Sequence, residues 1–157
     1  MHELVLIRHA KSDWSTGEPD FERPLNARGL IDAPAAGAWL KANVPAPDLV
    51  VVSSAMRTQL TWSAIAPSWG ISAEIVSSRQ VYEASWRRLL RIIEGLAEHI
   101  DRAALIGHNP GISDVFAELT GEDVEFKTSS IAVLTIDAPW AAAEGHGSVK
   151  HFVTPRG

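Results

Sequence analysis

Three short stretches of the chain are apolar without interruption and run straight into polar residues: Leu4-Val5-Leu6-Ile7, Leu49-Val50-Val51-Val52 and Ala103-Ala104-Leu105-Ile106. Unbroken apolar runs of this length, without alternation, predict inner strands of a parallel sheet covered on both faces. Between them the period changes. Leu30, Gly37, Leu40 and Val44 lie at near-helical spacing, with Asn26 as a candidate N-cap. Pro34 interrupts that pattern, so either a kink or a helix beginning near Asp32 is expected. A second helix is expected from about Ala55 to Trp69, with Leu60, Ile65 and Trp69 inward and Pro67 and Gly70 at its fraying end. Ala73 to Val76 reads as a short strand. Ser85 to Ile100 is the clearest amphipathic helix, with Leu89, Ile92, Ile93, Leu96 and Ile100 on one stripe and Arg87, Arg88 and Arg91 on its solvated face. Ile112 to Leu119 predicts a further helix. Ile131 to Ile136 and Val149 to Val153 predict two strands joined as an antiparallel edge pair. This alternation predicts an α/β protein, a three-layer α/β/α sandwich with a mostly parallel central sheet and an antiparallel C-terminal edge pair.

Length and composition narrow the chemistry. The 157 residues, 46% of them hydrophobic, suffice for one domain with its own core, spanning residues 1–157. Without cysteine there is no disulfide, thiolate metal site or cysteine nucleophile. The N-terminal residues read as a strand with acidic Glu3, not as a signal segment, and no apolar run reaches membrane-spanning length. A cytoplasmic protein with no membrane association is expected. The net charge of -5 argues against nonspecific nucleic-acid binding but permits a small, locally positive pocket.

Such a pocket is predicted by the polar residues just beyond the three apolar runs. Arg8-His9 succeeds the first, Arg57 lies shortly after the second, and His108-Asn109 comes after the third and Gly107. In open α/β sheets the ligand crevice lies just outside the carboxyl ends of the strands. An isolated Arg-His pair is a weak motif, and a lone histidine is more often structural; the same placement after three strands is much harder to reach by chance. Two arginines facing one point bind a tetrahedral oxyanion, because each presents a planar fork and stays charged. A histidine beside them can attack phosphorus. No phosphate-cradling glycine loop or Gly-x-Ser-x-Gly elbow offers another nucleophile. Metal binding by the paired histidines is the rival reading. Adjacent arginines would repel a divalent cation and no carboxylate cluster accompanies the pair, so neither metal nor cofactor is expected.

In order along the chain, Leu6-Ile7-Arg8-His9-Ala10-Lys11-Ser12, Arg23-Pro24-Leu25 with Gly29, Ser53-Ser54-Ala55-Met56-Arg57-Thr58 with Thr61, and Gly107-His108-Asn109-Pro110 resemble the histidine phosphatase superfamily. The compact length and the Arg-His-Ala-Lys-Ser form resemble its small phosphohistidine-phosphatase branch, the SixA type, over essentially the whole chain. The resemblance implies a metal-independent phosphatase in which His9 takes the phosphoryl group while Arg8, Arg57 and His108 hold its oxygens. Arg23 matches a further basic position, and Asn109 is a candidate substrate contact. Ala10 stands where many relatives have glycine.

Larger members of that family supply a carboxylic acid to protonate the leaving oxygen, within a longer motif that is absent here. Glu83, in Val81-Tyr82-Glu83-Ala84-Ser85, lies in the corresponding interval and is either that acid or a helix-start carboxylate favoured by the local dipole. No long insertion is available to roof the crevice, which is therefore expected to be shallow and open, and that permits a protein substrate. The expected partner is a phosphohistidine protein, with a small phosphorylated metabolite as the alternative substrate of the same mechanism. A non-catalytic phosphate- or phosphoprotein-binding module is a different class of reading. It would need the arginines but no nucleophile.

Overall fold

A computed structural model describes residues 1–70 and 73–157. It contains strands β1 (His2–Arg8), β2 (Leu49–Ser53), β3 (Glu74–Ser78), β4 (Arg102–Gly107), β5 (Ile131–Ile136) and β6 (Gly147–Val153). The helices are α1 (Ala27–Asn43), α2 (Met56–Trp69), α3 (Trp86–Glu94) and α4 (Gly111–Thr120). The strands form one sheet in the order β3-β2-β4-β1-β5-β6. β3, β2, β4 and β1 run parallel, while β5 is antiparallel to β1 and β6 to β5. The expected sandwich with its antiparallel C-terminal edge pair is therefore what the chain forms.

Strand residues alternate between two cores, which is why the apolar runs are continuous. Leu4, Leu6 and Leu105 face a core built with α3 and α4 around Phe116, Phe126 and Trp140. Val5, Ile7, Val50, Val52 and Ile106 face the opposite core, built with α1 and α2 through Leu40, Trp62, Ile65 and Trp69.

Three elements depart from the sequence reading. α1 begins at Ala27, capped by the Asn26 side chain accepting from the Gly29 N–H at 2.9 Å, and runs past Pro34. Pro34 lies on the exposed side, where the Leu30 carbonyl deprived of its helical partner can be solvated. Leu30 is also 60% exposed, not inward. The expected Gly37 and Leu40 are buried, and small residues, Gly29, Ala33 and Ala36, complete the face in place of Leu30. A Cβ on Gly29 would collide with the Lys11 carbonyl oxygen, so this glycine lets α1 press against the loop leaving β1. α3 is shorter than the apolar stripe implied. Ser85 caps it, accepting from the Arg88 N–H at 3.3 Å, and it ends at Glu94 before Gly95, while Ile100 reaches the same core from the following turn. β3 is an exposed edge strand extending two residues beyond Val76.

Candidate active site

Arg8 pairs with Gly107 across β1 and β4, and Val52 with Ile106 across β2 and β4. The segments that leave these strands therefore open on the same rim. There they line a cleft of about 400 Å³ whose walls include Arg8, His9, Arg23, Arg57, Glu83, His108 and Asn109. All seven residues singled out from the sequence are brought together. Trp14, 78% exposed, stands at the cleft's edge over the Arg23 guanidinium.

The two imidazoles are fixed in different ways. His9 is 6% exposed, and its Nδ1 lies 2.7 Å from the Ala10 carbonyl oxygen, to which it can bond only as a donor. The proton is thereby assigned to Nδ1, leaving the lone pair on Nε2. Ala10 is itself buried against Leu25 and Ala33, and its N–H donates to the Thr61 hydroxyl at 3.0 Å, so the turn after His9 is held from two sides. His108 lies with its ring centroid 5.2 Å from that of His9. Its Nε2 is 2.7 Å from the Ser53 hydroxyl oxygen, which also accepts the Ala55 N–H at 3.3 Å. His108 Nδ1 is buried and has no partner among the described residues.

The arginines are anchored through a small part of their donor sets. Arg8 donates from Nη1 to the Phe126 carbonyl at 3.0 Å. Arg57, in the first turn of α2, donates to the Asp20 carbonyl at 2.7 Å and to the Asp20 carboxylate at 3.1 Å. Each guanidinium keeps most of its N–H groups uncommitted. Asp20 is the hinge of this wall: its carboxylate also accepts from the Tyr82 hydroxyl at 2.6 Å and from Arg23 Nε at 3.0 Å. The Tyr82 bond, with Arg23 and Arg57, holds the Asp20 carboxyl down at about 2 against the desolvation that opposes it. Desolvation and Asp20 together push the Tyr82 phenol up to about 12. Arg23 further donates to the Ser12 hydroxyl at 2.7 Å. Its position is thus set by both the Asp20 turn and the loop after β1.

Asn109 lines the cleft with its amide largely engaged, donating to the Phe126 carbonyl at 2.8 Å and accepting from the Ser113 hydroxyl at 2.8 Å and N–H at 3.2 Å. It shares the Phe126 carbonyl with Arg8, which couples its geometry to that arginine. Glu83 is exposed, and its backbone is in the left-handed region at φ 54°, a conformation costing a non-glycine residue about 1–3 kcal/mol. It precedes the Ser85 cap and so lies outside the first turn of α3. Sequence reasoning missed Asp20, Tyr82 and Ser53 as site residues. Ser53 lies within one of the family-like motifs, but the stretch from Asp13 to Arg23 has no periodicity that would single out Asp20.

Burial pushes the His9 imidazole down to about 3, with His108, Arg57 and Arg8 acting in the same direction and the Ala10 hydrogen bond opposing. Burial likewise lowers His108 to about 4, helped by Arg57, Arg8 and Arg23 and opposed by Asp20. Flanking arginines do lower His9, but burial contributes more. Both folded values lie below the ordinary value near 6.5, so between them the unfolded chain binds more protons and stability falls as pH falls. Unfolding free energy is expected to drop by on the order of 6 kcal/mol from pH 7 to pH 4, roughly 3 from each histidine, measured by denaturant titration. In NMR titration of the free protein, the His9 ring should remain neutral at about pH 5; a cationic ring at pH 7 would contradict this electrostatic description.

Unprotonated nitrogen on His9, a neighbouring imidazole and two partly free guanidiniums form a site for a tetrahedral anion, with a nucleophile among them. On a sandwich of this topology, that combination defines a phosphatase. The chain belongs to the histidine phosphatase superfamily (branch 1), whose family model matches residues 4–125. An uncharacterized protein of Mycobacterium tuberculosis is 33% identical over 162 residues, covering 96% of this chain and 100% of that protein. A structure described as a SixA phosphohistidine phosphatase from Agrobacterium tumefaciens superposes with a TM-score of 0.85, at 28% identity and 98% coverage of both chains. One so described from Nakamurella multipartitia gives a TM-score of 0.85 at 27% identity, covering 98% of this chain and 96% of that one. Among the described residues, no helix is long and apolar enough to cross a membrane, and no cluster of three or more His, Asp or Glu residues could hold a metal ion.

Proposed function

We propose that the chain is a metal-independent phosphatase that works through a covalent phosphohistidine on His9 and acts on protein phosphohistidine. The observation that carries the mechanism is the Nδ1 hydrogen bond of His9 to the Ala10 carbonyl, which leaves Nε2 as the unprotonated nitrogen facing the chemistry. In the first step Nε2 forms a bond to phosphorus as the bond to the leaving group breaks, and the departing atom takes the electron pair. Arg8, Arg57 and the His108 imidazole hold the phosphoryl oxygens as charge shifts among them. Water then attacks phosphorus, the His9–phosphorus bond breaks, inorganic phosphate leaves, and His9 returns to its neutral form. Asp20 positions Arg57 and Arg23, Ser53 positions His108, and Asn109 acts by fixing the Phe126 carbonyl on which Arg8 rests. This reading supports activity that survives chelators.

The substrate class follows from the leaving group. The cleft is edged by an exposed tryptophan, which suits a phosphorylated side chain presented on a protein surface. Phosphohistidine leaves as an imidazole that solvent can protonate beforehand, so it does not require an acid of the enzyme. An alkyl phosphate leaves as a strongly basic alkoxide, for which a general acid contributes about a hundredfold or more. Glu83, exposed at the cleft wall, is the residue that would supply that acid in the alternative reading of a small-molecule phosphomonoesterase. Glu83→Gln is expected to change kcat/KM little on a phosphohistidine peptide and on p-nitrophenyl phosphate. A selective collapse on an alkyl phosphate that the wild type prefers would assign the protein to phosphate esters while leaving the His9 mechanism standing.

A further inference from the structure

The chain carries more acidic than basic residues, 19 against 14, yet positions 79 to 91 hold four arginines and one carboxylate. Arg79 lies in the turn after β3, and Arg87, Arg88 and Arg91 lie on α3; all four are exposed. Elsewhere, apart from Arg8 in the cleft, which rests on the Phe126 carbonyl, the arginines are paired: Arg23 and Arg57 with Asp20, Arg28 and Arg156 with Asp32, Arg102 with Glu3. None of the four on this surface forms an ion pair among the described residues. Two are steadied on aromatic faces, Arg79 over Phe21 at 4.2 Å and Arg87 over Trp86 at 5.0 Å, which limits their freedom without neutralising their charge.

Three of them continue from the catalytic cleft, and Arg87 lies one turn before Arg91 on α3. A hollow walled by Arg79 and Arg88 shares Glu83 with that cleft, and a second hollow walled by Arg88 and Arg91 shares Gln80 and Arg88 with the first. A segment of extended chain leaving the cleft past Glu83 would cross this cationic ground. Resting on the phosphohistidine-protein reading above, we propose that Arg79, Arg87, Arg88 and Arg91 form the docking surface for an acidic segment flanking the phosphohistidine of the protein substrate. Unpaired cations on an otherwise acidic protein complement such a segment, guide its encounter and exclude basic partners. A nucleic acid fits less well, since its continuous phosphate backbone would extend beyond this patch onto a chain of net charge -5.

The test compares two phosphohistidine peptides, one with Glu and Asp flanks and one with neutral flanks, on the wild type and on the triple variants R87E/R88E/R91E and R87Q/R88Q/R91Q. Wild-type kcat/KM should favour the acidic peptide by about tenfold at low ionic strength, and the preference should fade in high salt. The glutamine variant should lose the preference and the glutamate variant reverse it, while kcat/KM on p-nitrophenyl phosphate stays at the wild-type value in both, which also certifies the fold. Fluorescence anisotropy with the unphosphorylated acidic peptide reads the same surface without turnover. Peptide binding lost in the variants would uphold the docking surface even if no phosphohistidine peptide were hydrolysed, an outcome that would sink the substrate reading instead. Equal treatment of both peptides by the wild type, a preference surviving in the variants, or tighter binding of a single-stranded oligonucleotide than of the acidic peptide would overturn the docking surface.

Discussion

His9→Ala is expected to lower kcat on p-nitrophenyl phosphate by at least about 10⁴-fold, the scale for removing a nucleophile that acts in concert with its surroundings. No other histidine can substitute by a small movement: His108 is committed through Nε2 to Ser53. The loss should appear in kcat and in any burst phase while the protein remains folded. His9 follows β1 and its ring forms a single hydrogen bond, to Ala10, worth about 1 kcal/mol. Deleting a buried imidazole held neutral removes no paired charge. Circular dichroism and a denaturant midpoint near that of the wild type would separate lost chemistry from lost structure. A His9→Ala protein with undiminished turnover would remove the basis of the mechanism.

Arg57→Lys is the second large effect. Lysine keeps the positive charge but replaces a planar fork by a point charge on a flexible stem. Loss of one preorganised oxyanion donor costs about 2–4 kcal/mol of transition-state stabilisation, or roughly 30- to 1,000-fold in kcat/KM. The geometry adds a reason for the upper part of that range. Arg57 spans from the cleft to both the backbone and the carboxylate of Asp20, and an ammonium cannot reproduce both contacts while presenting N–H groups to a phosphoryl oxygen. The damage should fall mainly on kcat, because charge attraction to the bound dianion persists. A variant that differs in KM alone would place Arg57 in ground-state binding.

Much of this architecture was legible because its signals are local. The runs Leu4–Ile7, Leu49–Val52 and Ala103–Ile106 are buried on both sheet faces, and Arg8, His9 and His108 lie directly beyond their carboxyl ends, so strand and site were read from the same few residues. β5 likewise falls where its apolar run lies, at Ile131–Ile136. What stayed hidden depends on tertiary distance. The Tyr82–Asp20 hydrogen bond joins residues 62 positions apart, and no pattern near either one announces the other. On α1 the pattern holds for Gly37, Leu40 and Val44 and fails at Leu30, because close packing against α2 and the Lys11 loop selects glycine and alanine and leaves Leu30 outside; a hydrophobicity pattern favours the larger residue. Local breakers also carried unequal weight. Pro34 is absorbed on the solvent side of α1, whereas α3 stops just before Gly95 although apolar positions continue beyond it.

The covalent intermediate offers the most direct test of the central claim. Wild-type protein mixed with ³²P-labelled aryl phosphate and quenched in alkali within the first turnovers should carry label that is stable in base and labile in acid, as a phosphoramidate is, and that maps by peptide mass to His9. The same experiment on His9→Ala should trap none. Label that resists acid, label that maps to another residue, or full turnover with no trapped label under conditions where the second step is slowed would contradict phosphoryl transfer through His9.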